Sequence, residues 1–423
     1  MSKTAEEPMR QIVQAGLGTT PDRGIIQSLW IEEPANCDLR CGYCFCATRP
    51  GVRDEDPENL AWDTERPNSY PVDLYVTNIL EPFAERIAAW NKATPEERVA
   101  IFDCPPENAN EPDIRGKVAI PGAGEPFHPH NLGLTRDLLR HAARLDLHMT
   151  IFTSGHLIDD ELAAELAPQD ILLLVKCNSR VGHVQNAFVG NPDHLDYARE
   201  RDGALEKLMR FGFNTPVGEP RTDRYQETRL GIVTSVMRDN LGELPDLLRL
   251  ARRNNVIFDC DTILERGRGT DCPEIPSDED TRAAFHELQM IDREEFGKYW
   301  DISRSYIGTT CDRFRHHLYV DKRGFIYPCV GCLGDERSGV PPVILGNVKD
   351  GPAALYGAWN KPLMKKILRQ HVYAGPCATC LNAAEEKCYS CLGRCRNLEV
   401  RLDPEDGETP VSMKGCWNNR ANH

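Results

Sequence analysis

Cys37-Asp38-Leu39-Arg40-Cys41-Gly42-Tyr43-Cys44 is the stretch on which the reading turns, a C-x3-C-x2-C run. Three thiolates so close together are one short of the four ligands a structural zinc takes. They suit three irons of a [4Fe–4S] cube and leave the fourth iron open to another ligand. The competing reading is a loop with chance cysteines, or three ligands of a zinc site completed from elsewhere. The flanking sequence has to decide between them.

The chain has 423 residues, enough for two or three domains, and 40% of them are hydrophobic. A net charge of −15 argues against nucleic acid as the main partner. Residues 1–24 read as a leader. The start, MSKTAEEPMR, lacks an apolar core for a secretion signal, and the longest aliphatic run, Ile171 to Val175, is too short to span a membrane. A cytoplasmic protein with no membrane partner is expected. Arginine far outnumbers lysine, a compositional hint of a GC-rich bacterial genome. Seventeen cysteines in such a chain point away from disulfides and toward metal or iron–sulfur ligation.

Outward from the triad, Gly24–Glu32 has strand character and delivers the chain to Cys37. Residues 52–115, rich in Pro, Asp and Glu with one helix over Ile79–Lys92, read as an insertion. Strands are then expected at Lys117–Pro121, His148–Thr153, Asp170–Cys177, Arg229–Val236 and Val256–Asp261. Helices alternate with them at Leu132–Leu145, Asp159–Leu166, Gly203–Phe211, Leu241–Asn254 and Asp278–Glu294. Near-continuous apolar strands separated by amphipathic helices specify a parallel sheet covered by helices. The fold class is α/β, a partial (β/α)6 TIM-type barrel over residues 25–300. Its active site belongs at the C-terminal ends of the strands.

The triad, with an aromatic at Tyr43, resembles the signature of the radical S-adenosylmethionine (SAM) enzymes. In that family the methionine part of SAM chelates the open iron, and one electron cleaves it to a 5′-deoxyadenosyl radical that abstracts hydrogen from a C–H bond. Gly122-Ala123-Gly124-Glu125-Pro126, after the second strand, resembles the family's GGEP motif, with Ala123 where the first glycine usually stands. The resemblance implies that Gly124 and Glu125 contact the amino group of SAM. It also implies SAM contacts from Asn178 and Ser179 at the end of the fourth strand, with Lys176 and Ser235 as further candidates. Asp259 and Asp261 share one face of the sixth strand, and Cys260 takes the other. The two carboxylates are tentative catalytic residues, against the alternative of a solvated strand end.

The last third, residues 301–423, holds nine cysteines between Cys311 and Cys416. Their order, with Gly346-Asn347-Val348 and Cys391-Leu392-Gly393-Arg394-Cys395, resembles the SPASM extension of radical SAM enzymes, which carries two auxiliary [4Fe–4S] clusters. By that pattern Cys311, Cys329, Cys395 and Cys332 hold the first. Cys377, Cys380, Cys391 and Cys416 hold the second, with Cys388 as the alternative to Cys391. A pair of zinc ribbons is the competing idea.

Three [4Fe–4S] clusters and SAM are therefore expected, with a flavodoxin or ferredoxin as electron donor. The substrate radical has three fates: dehydrogenation, which is the expected one, epimerisation with a cysteine as hydrogen donor, or coupling. The expected substrate is a small sugar or aminocyclitol, since only 36 residues precede Cys37 and a fused peptide-recognition module is not expected. A ribosomally made peptide is the alternative, and a non-catalytic electron carrier a third class.

Overall fold

The computed structural model describes residues 22–34, 36–46, 72–190, 196–218, 226–264, 266–270, 272–298, 316–334, 342–369, 400–402 and 410–412. Six strands carry the fold: β1 Ser28–Ile31, β2 Lys117–Ile120, β3 His148–Thr153, β4 Ile171–Lys176, β5 Leu230–Val236 and β6 Ile257–Thr262. Each pairs in parallel with the next. Parallel neighbours need a crossover, and an apolar strand with both faces covered needs helices to cover it. All seven residues of β5, LGIVTSV, are buried. The helix Leu244–Arg253 buries Leu244, Leu247, Leu248 and Ala251, the one-sided spacing of a helix lying on a sheet.

The expected strands and five later helices all form, with ends differing by a few residues. A further helix, Gly182–Val189, precedes Tyr197–Arg210 in the crossover after β4. The segment expected to be an insertion is corrected over residues 72–102. There a helical turn Val72–Tyr75, a π-helical turn Val76–Leu80 and the helix Glu81–Lys92 run on as one element, followed by the helix Pro95–Phe102. Tyr75, Ile79, Phe83 and Trp90 are fully buried in the same core as Ile25, Leu29 and Val118. This element is the crossover of the first βα unit. Burying side chains of that size contributes about 1.5–3 kcal/mol each, so it is part of the barrel.

The barrel does not close. The edge of β1 that closure would give to another barrel strand is taken by β7, His317–Val320, which pairs with β1 in parallel. An antiparallel hairpin continues through β8, Phe325–Tyr327, to β9, Gly346–Asn347. The sheet order is β6-β5-β4-β3-β2-β1-β7-β8-β9. The described start of the C-terminal region thus extends the barrel's own sheet. Gly324 makes the turn between β7 and β8 at φ +86°, a conformation that costs a residue with a Cβ. Asp321 fixes that turn, its carboxylate accepting from the backbone N–H of Arg323 and Phe325 and from the Tyr327 hydroxyl. Asn78, in the π-helical turn, donates to the Val348 carbonyl and ties the first crossover to this region. Among the described residues, no helix is long and apolar enough to cross a membrane.

Candidate active site

The cysteine run has no regular structure, so its conformation depends on neighbours. One grip comes from the element after β4: Arg40 and Gly42 donate backbone N–H groups to the carbonyls of Val189 and Phe188. At Gly190, where that helix ends, φ is +58° and an added Cβ would stand 2.6 Å from the Arg40 carbonyl oxygen. A second grip comes from the loop after β2. The Glu125 N–H donates to the Asn36 carbonyl, and the fully buried Asn131 amide donates to the carbonyls of Pro34, Asn36 and Glu125. A third comes from Arg268, after β6, donating from its backbone N–H to the Cys44 carbonyl and from Nε to the Cys41 carbonyl.

Cys37, Cys41 and Cys44 line one cavity at the C-terminal ends of the strands, together with Tyr43, Gly122, Gly124, Glu125, Lys176, Ser235 and Asp261. Leu39, Phe45, Phe152, Leu174, Val233, Ile263 and Leu264 supply apolar wall. The strand end explains each placement. In Gly-Ala-Gly-Glu-Pro the left-handed residue is Gly122, at φ +74°. Ala123 has no positive φ and is buried, so alanine in place of the usual glycine carries no backbone strain. Glu125 is held by the end of β3: its carboxylate accepts from Thr153 Oγ1 at 2.6 Å, from Ser154 N and Oγ at 2.7 and 2.5 Å, and from the Phe127 N–H at 3.2 Å.

Lys176 points into the cavity, its Nζ 2.9 Å from Ser235 Oγ and 5.2 Å from the centre of the Tyr43 ring. Burial pulls its pKa down, while nearby Cys41, Asp259 and Asp261 favour the charged form. Asn178 and Ser179 do not line the cavity. β4 has ended at Lys176, so strand alternation no longer orients them. Asn178 accepts from the Ser235 N–H, and Ser179 Oγ donates to Glu243. Asn178 stays adjacent to the site: the buried Tyr43 hydroxyl interacts with the side chains of Asn178 and Cys41.

The two strand-six carboxylates face inward, as alternation requires, but into different spaces. Asp261 lines the cavity with the cysteines. Asp259 lines a second cavity toward the other end of the strands, with Trp30, Lys117 and Thr150. Phe152 and Leu174 line both and form the floor between them. Cys177 and Cys260 belong to the core under the helices.

Sequence reasoning missed two contributors. The Asp38 carboxylate, inside the cysteine run, stands 3.0 Å from His128 Nε2 and 3.6 Å from His156 Nε2. His156 Nδ1 lies 2.7 Å from Ser154 Oγ, which links this pair to Glu125. The signal was present in Asp38 and in His128, two residues after the GEP turn, but the contact spans distant segments. The other is Arg268.

In the C-terminal region, Cys329 and Cys332 are buried with their sulfurs 4.0 Å apart. They share an apolar cluster with Tyr319, Tyr327 and Leu333, against which Phe45 from the cysteine run packs. Cys311, Cys377, Cys380, Cys388, Cys391, Cys395 and Cys416 lie outside the described residues.

The donor chemistry of the triad suits an iron–sulfur cube, which takes one sulfur at each of three corners, and all three cysteines line the one cavity. Burial pushes the Cys37 thiol far up and the Cys41 thiol up to about 12, and the positive charge of a bound metal would favour their thiolates.

An unclosed parallel barrel with a C-x3-C-x2-C loop at its mouth is the arrangement that the resemblance to radical SAM enzymes implies. Residues 311–381 match the model of the SPASM iron–sulfur cluster-binding domain. A solved structure described as native anSMEcpe with bound AdoMet, which is SAM, superposes with a TM-score of 0.50 at 15% identity. The match covers 79% of this chain and 81% of that one. The same protein with AdoMet and the Cp18Cys peptide gives a TM-score of 0.48 at 16% identity, over 79% and 80%. At such identity the likeness speaks for the fold. No curated protein sequence matches the chain. Residues 311–381 thus carry the SPASM match, the rest of the chain is similar in fold to an AdoMet-binding protein, and motif, fold and C-terminal match together support a resemblance to the SPASM subfamily of radical SAM enzymes.

Proposed function

We propose that Cys37, Cys41 and Cys44 hold a [4Fe–4S] cluster whose open corner takes SAM, and that the enzyme oxidises a small polar substrate such as a sugar or aminocyclitol. The observation that carries this reading is that the three cysteines, Glu125, Lys176, Ser235 and Asp261 all line one cavity. When bound, cluster and SAM supply the capability the side chains lack, removal of a hydrogen atom from an unactivated C–H bond. Glu125 receives the SAM ammonium, oriented by Thr153 and Ser154. Tyr43 completes the SAM pocket, with Asn178 behind it holding its hydroxyl. The apolar wall from Leu39 to Leu264 excludes water and stray hydrogen donors. Lys176 and Ser235 hold substrate hydroxyls or amines, and Asp261 accepts the proton as the substrate radical at a carbon bearing a hydroxyl or amine becomes a double bond to oxygen or nitrogen, its remaining electron going to the acceptor that an auxiliary cluster would supply. Asp259, below the floor, is the weaker candidate for that role. In the C-terminal region Cys329 and Cys332, with Cys311 and Cys395, hold the first auxiliary cluster next to Phe45. Cys377, Cys380, Cys391 and Cys416 hold the second. A flavodoxin or ferredoxin supplies electrons.

Oxidation is favoured over epimerisation by where the thiols are. Among the described cysteines outside the triad, none lines the cavity. The test is turnover of candidate sugars and aminocyclitols by anaerobically reconstituted enzyme in D2O, read by mass spectrometry. The expected product is lighter than substrate by two hydrogens, with one SAM consumed per turnover. A product of unchanged composition carrying one deuteron would make the enzyme an epimerase. Turnover of a peptide and of no small molecule would move the substrate class.

A further inference from the structure

Arg266-Gly267-Arg268-Gly269 forms a strap across the cysteine run. Arg268 donates from its backbone N–H to the Cys44 carbonyl at 3.0 Å and from Nε to the Cys41 carbonyl at 2.8 Å. Arg266 donates from Nε to the Gly334 carbonyl at 2.9 Å and reaches the Phe45 carbonyl at 3.5 Å. Between them Gly267, at φ +60°, lies so close that an added Cβ would stand 2.6 Å from the Phe45 carbonyl oxygen and 2.9 Å from that of Cys44. Contact this tight between two loops needs a glycine. The strap therefore binds three carbonyls of the cluster loop and brings a guanidinium against the carbonyl of one ligand cysteine.

The potential of an iron–sulfur cluster depends on net charge, on hydrogen bonds around it and on solvent exposure. Reduction adds one electron and makes the cluster and its three thiolates more negative by one charge. A fixed cation beside a ligand cysteine stabilises the reduced state more than the oxidised one. The low effective dielectric of a partly buried site enlarges that difference.

We propose that Arg268 is a positioning and charge-setting residue that raises the reduction potential of the triad's cluster, bringing it within reach of a one-electron donor of the flavodoxin or ferredoxin class. The inference rests on the reading that the triad holds a cluster. Arg268 touches the protein around that cluster and acts through it.

The test uses the full-length chain, reconstituted anaerobically, with a potentiometric titration followed by electron paramagnetic resonance and iron counted in the same samples. The triad's signal is the one missing from the variant with Cys37, Cys41 and Cys44 all changed to Ala. Arg268→Gln is expected to keep its iron and to shift the triad's midpoint to a more negative potential. Arg268→Lys, which keeps the charge, is expected to stay near the wild-type value. An unchanged midpoint in a fully loaded Arg268→Gln would overturn the proposal. Loss of the triad's iron from both variants would overturn it too, since Arg268 would then serve assembly alone. Absence of any triad signal from the wild-type chain is a different failure, that of the cluster reading.

Discussion

Two cysteine regions lie on either side of Phe45 and differ in what surrounds them. The triad lines an open cavity furnished with Glu125, Lys176, Ser235 and Asp261. Cys329 and Cys332 sit 5% and 4% exposed in a cluster of aromatic and apolar side chains, with Tyr319 and Tyr327 fully buried. An open, polar surround suits a cluster that must bind a ligand and do chemistry. A dry, closed one suits a cluster that only passes electrons. Spacing alone does not separate these roles, since both regions carry Cys-x2-Cys pairs.

The largest effect should come from removing either cluster. Changing Cys37, Cys41 and Cys44 to Ala together is expected to abolish 5′-deoxyadenosine formation. Iron should fall from about twelve per chain to about eight, at four per cube. Changing Cys329 and Cys332 to Ala should instead leave 5′-deoxyadenosine formation and abolish product. If the second pair abolished SAM cleavage as well, the division into a reacting and a conducting cluster would fail.

Next in size is the contrast between the carboxylates on either side of the Phe152–Leu174 floor. Asp261→Asn should lower product formation by about 10²-fold or more, the range for loss of a general base. Asp259→Asn, in the lower cavity, should leave it near wild type. Product and 5′-deoxyadenosine measured together will show uncoupling for Asp261 alone; equal losses at both positions would erase the upper and lower division. A smaller change is expected at Glu125, whose carboxylate takes four donors. Glu125→Gln should weaken SAM binding by roughly 10–100-fold, the worth of one charge-assisted hydrogen bond. Equilibrium dialysis with the loaded enzyme reads this directly, and unchanged affinity would remove Glu125 from the SAM site.

The strands were legible because parallel strands covered on both faces must be apolar nearly throughout, as Leu230–Val236 is. The triad was legible because ligand spacing is a local property. The first crossover was not, because the acidic, Pro-rich stretch before it hid an apolar stripe running from Tyr75 through Ile79 and Phe83 to Trp90. β7 was missed for a related reason. It has four residues, and pairing with β1 satisfies it across nearly the whole chain. Alternation placed Lys176, Asp259, Asp261, Cys177 and Cys260 on the observed faces, and lost its hold at Asn178 and Ser179, beyond the end of β4. What no local pattern carries is the set of long-range contacts onto the cysteine run, from Asn131, His128, His156 and Arg268. Each joins residues that only the folded topology brings together.

The smallest effect concerns the side of the loop away from the cavity. Glu33, at the end of β1, is 2% exposed; its Oε1 accepts from the Thr135 hydroxyl at 2.9 Å and its Oε2 has no partner. Burial pushes its pKa from 4.5 up to about 8, with the Thr135 hydrogen bond opposing and the charge of Glu125 adding. The folded chain therefore holds a proton that the unfolded chain releases. That contribution is whole below pH 4.5 and is lost as pH rises to and through about 8, so stability should fall across this window. Glu33→Gln removes the titration. Its Tm relative to wild type should be nearly level at pH 5 and rise steadily toward pH 9. 5′-deoxyadenosine formation should be unaffected, because Glu33 does not line the cavity. A Tm difference independent of pH would show that Glu33 is ionised in the folded protein, and a loss of SAM cleavage would place it with Glu125 on the reacting side.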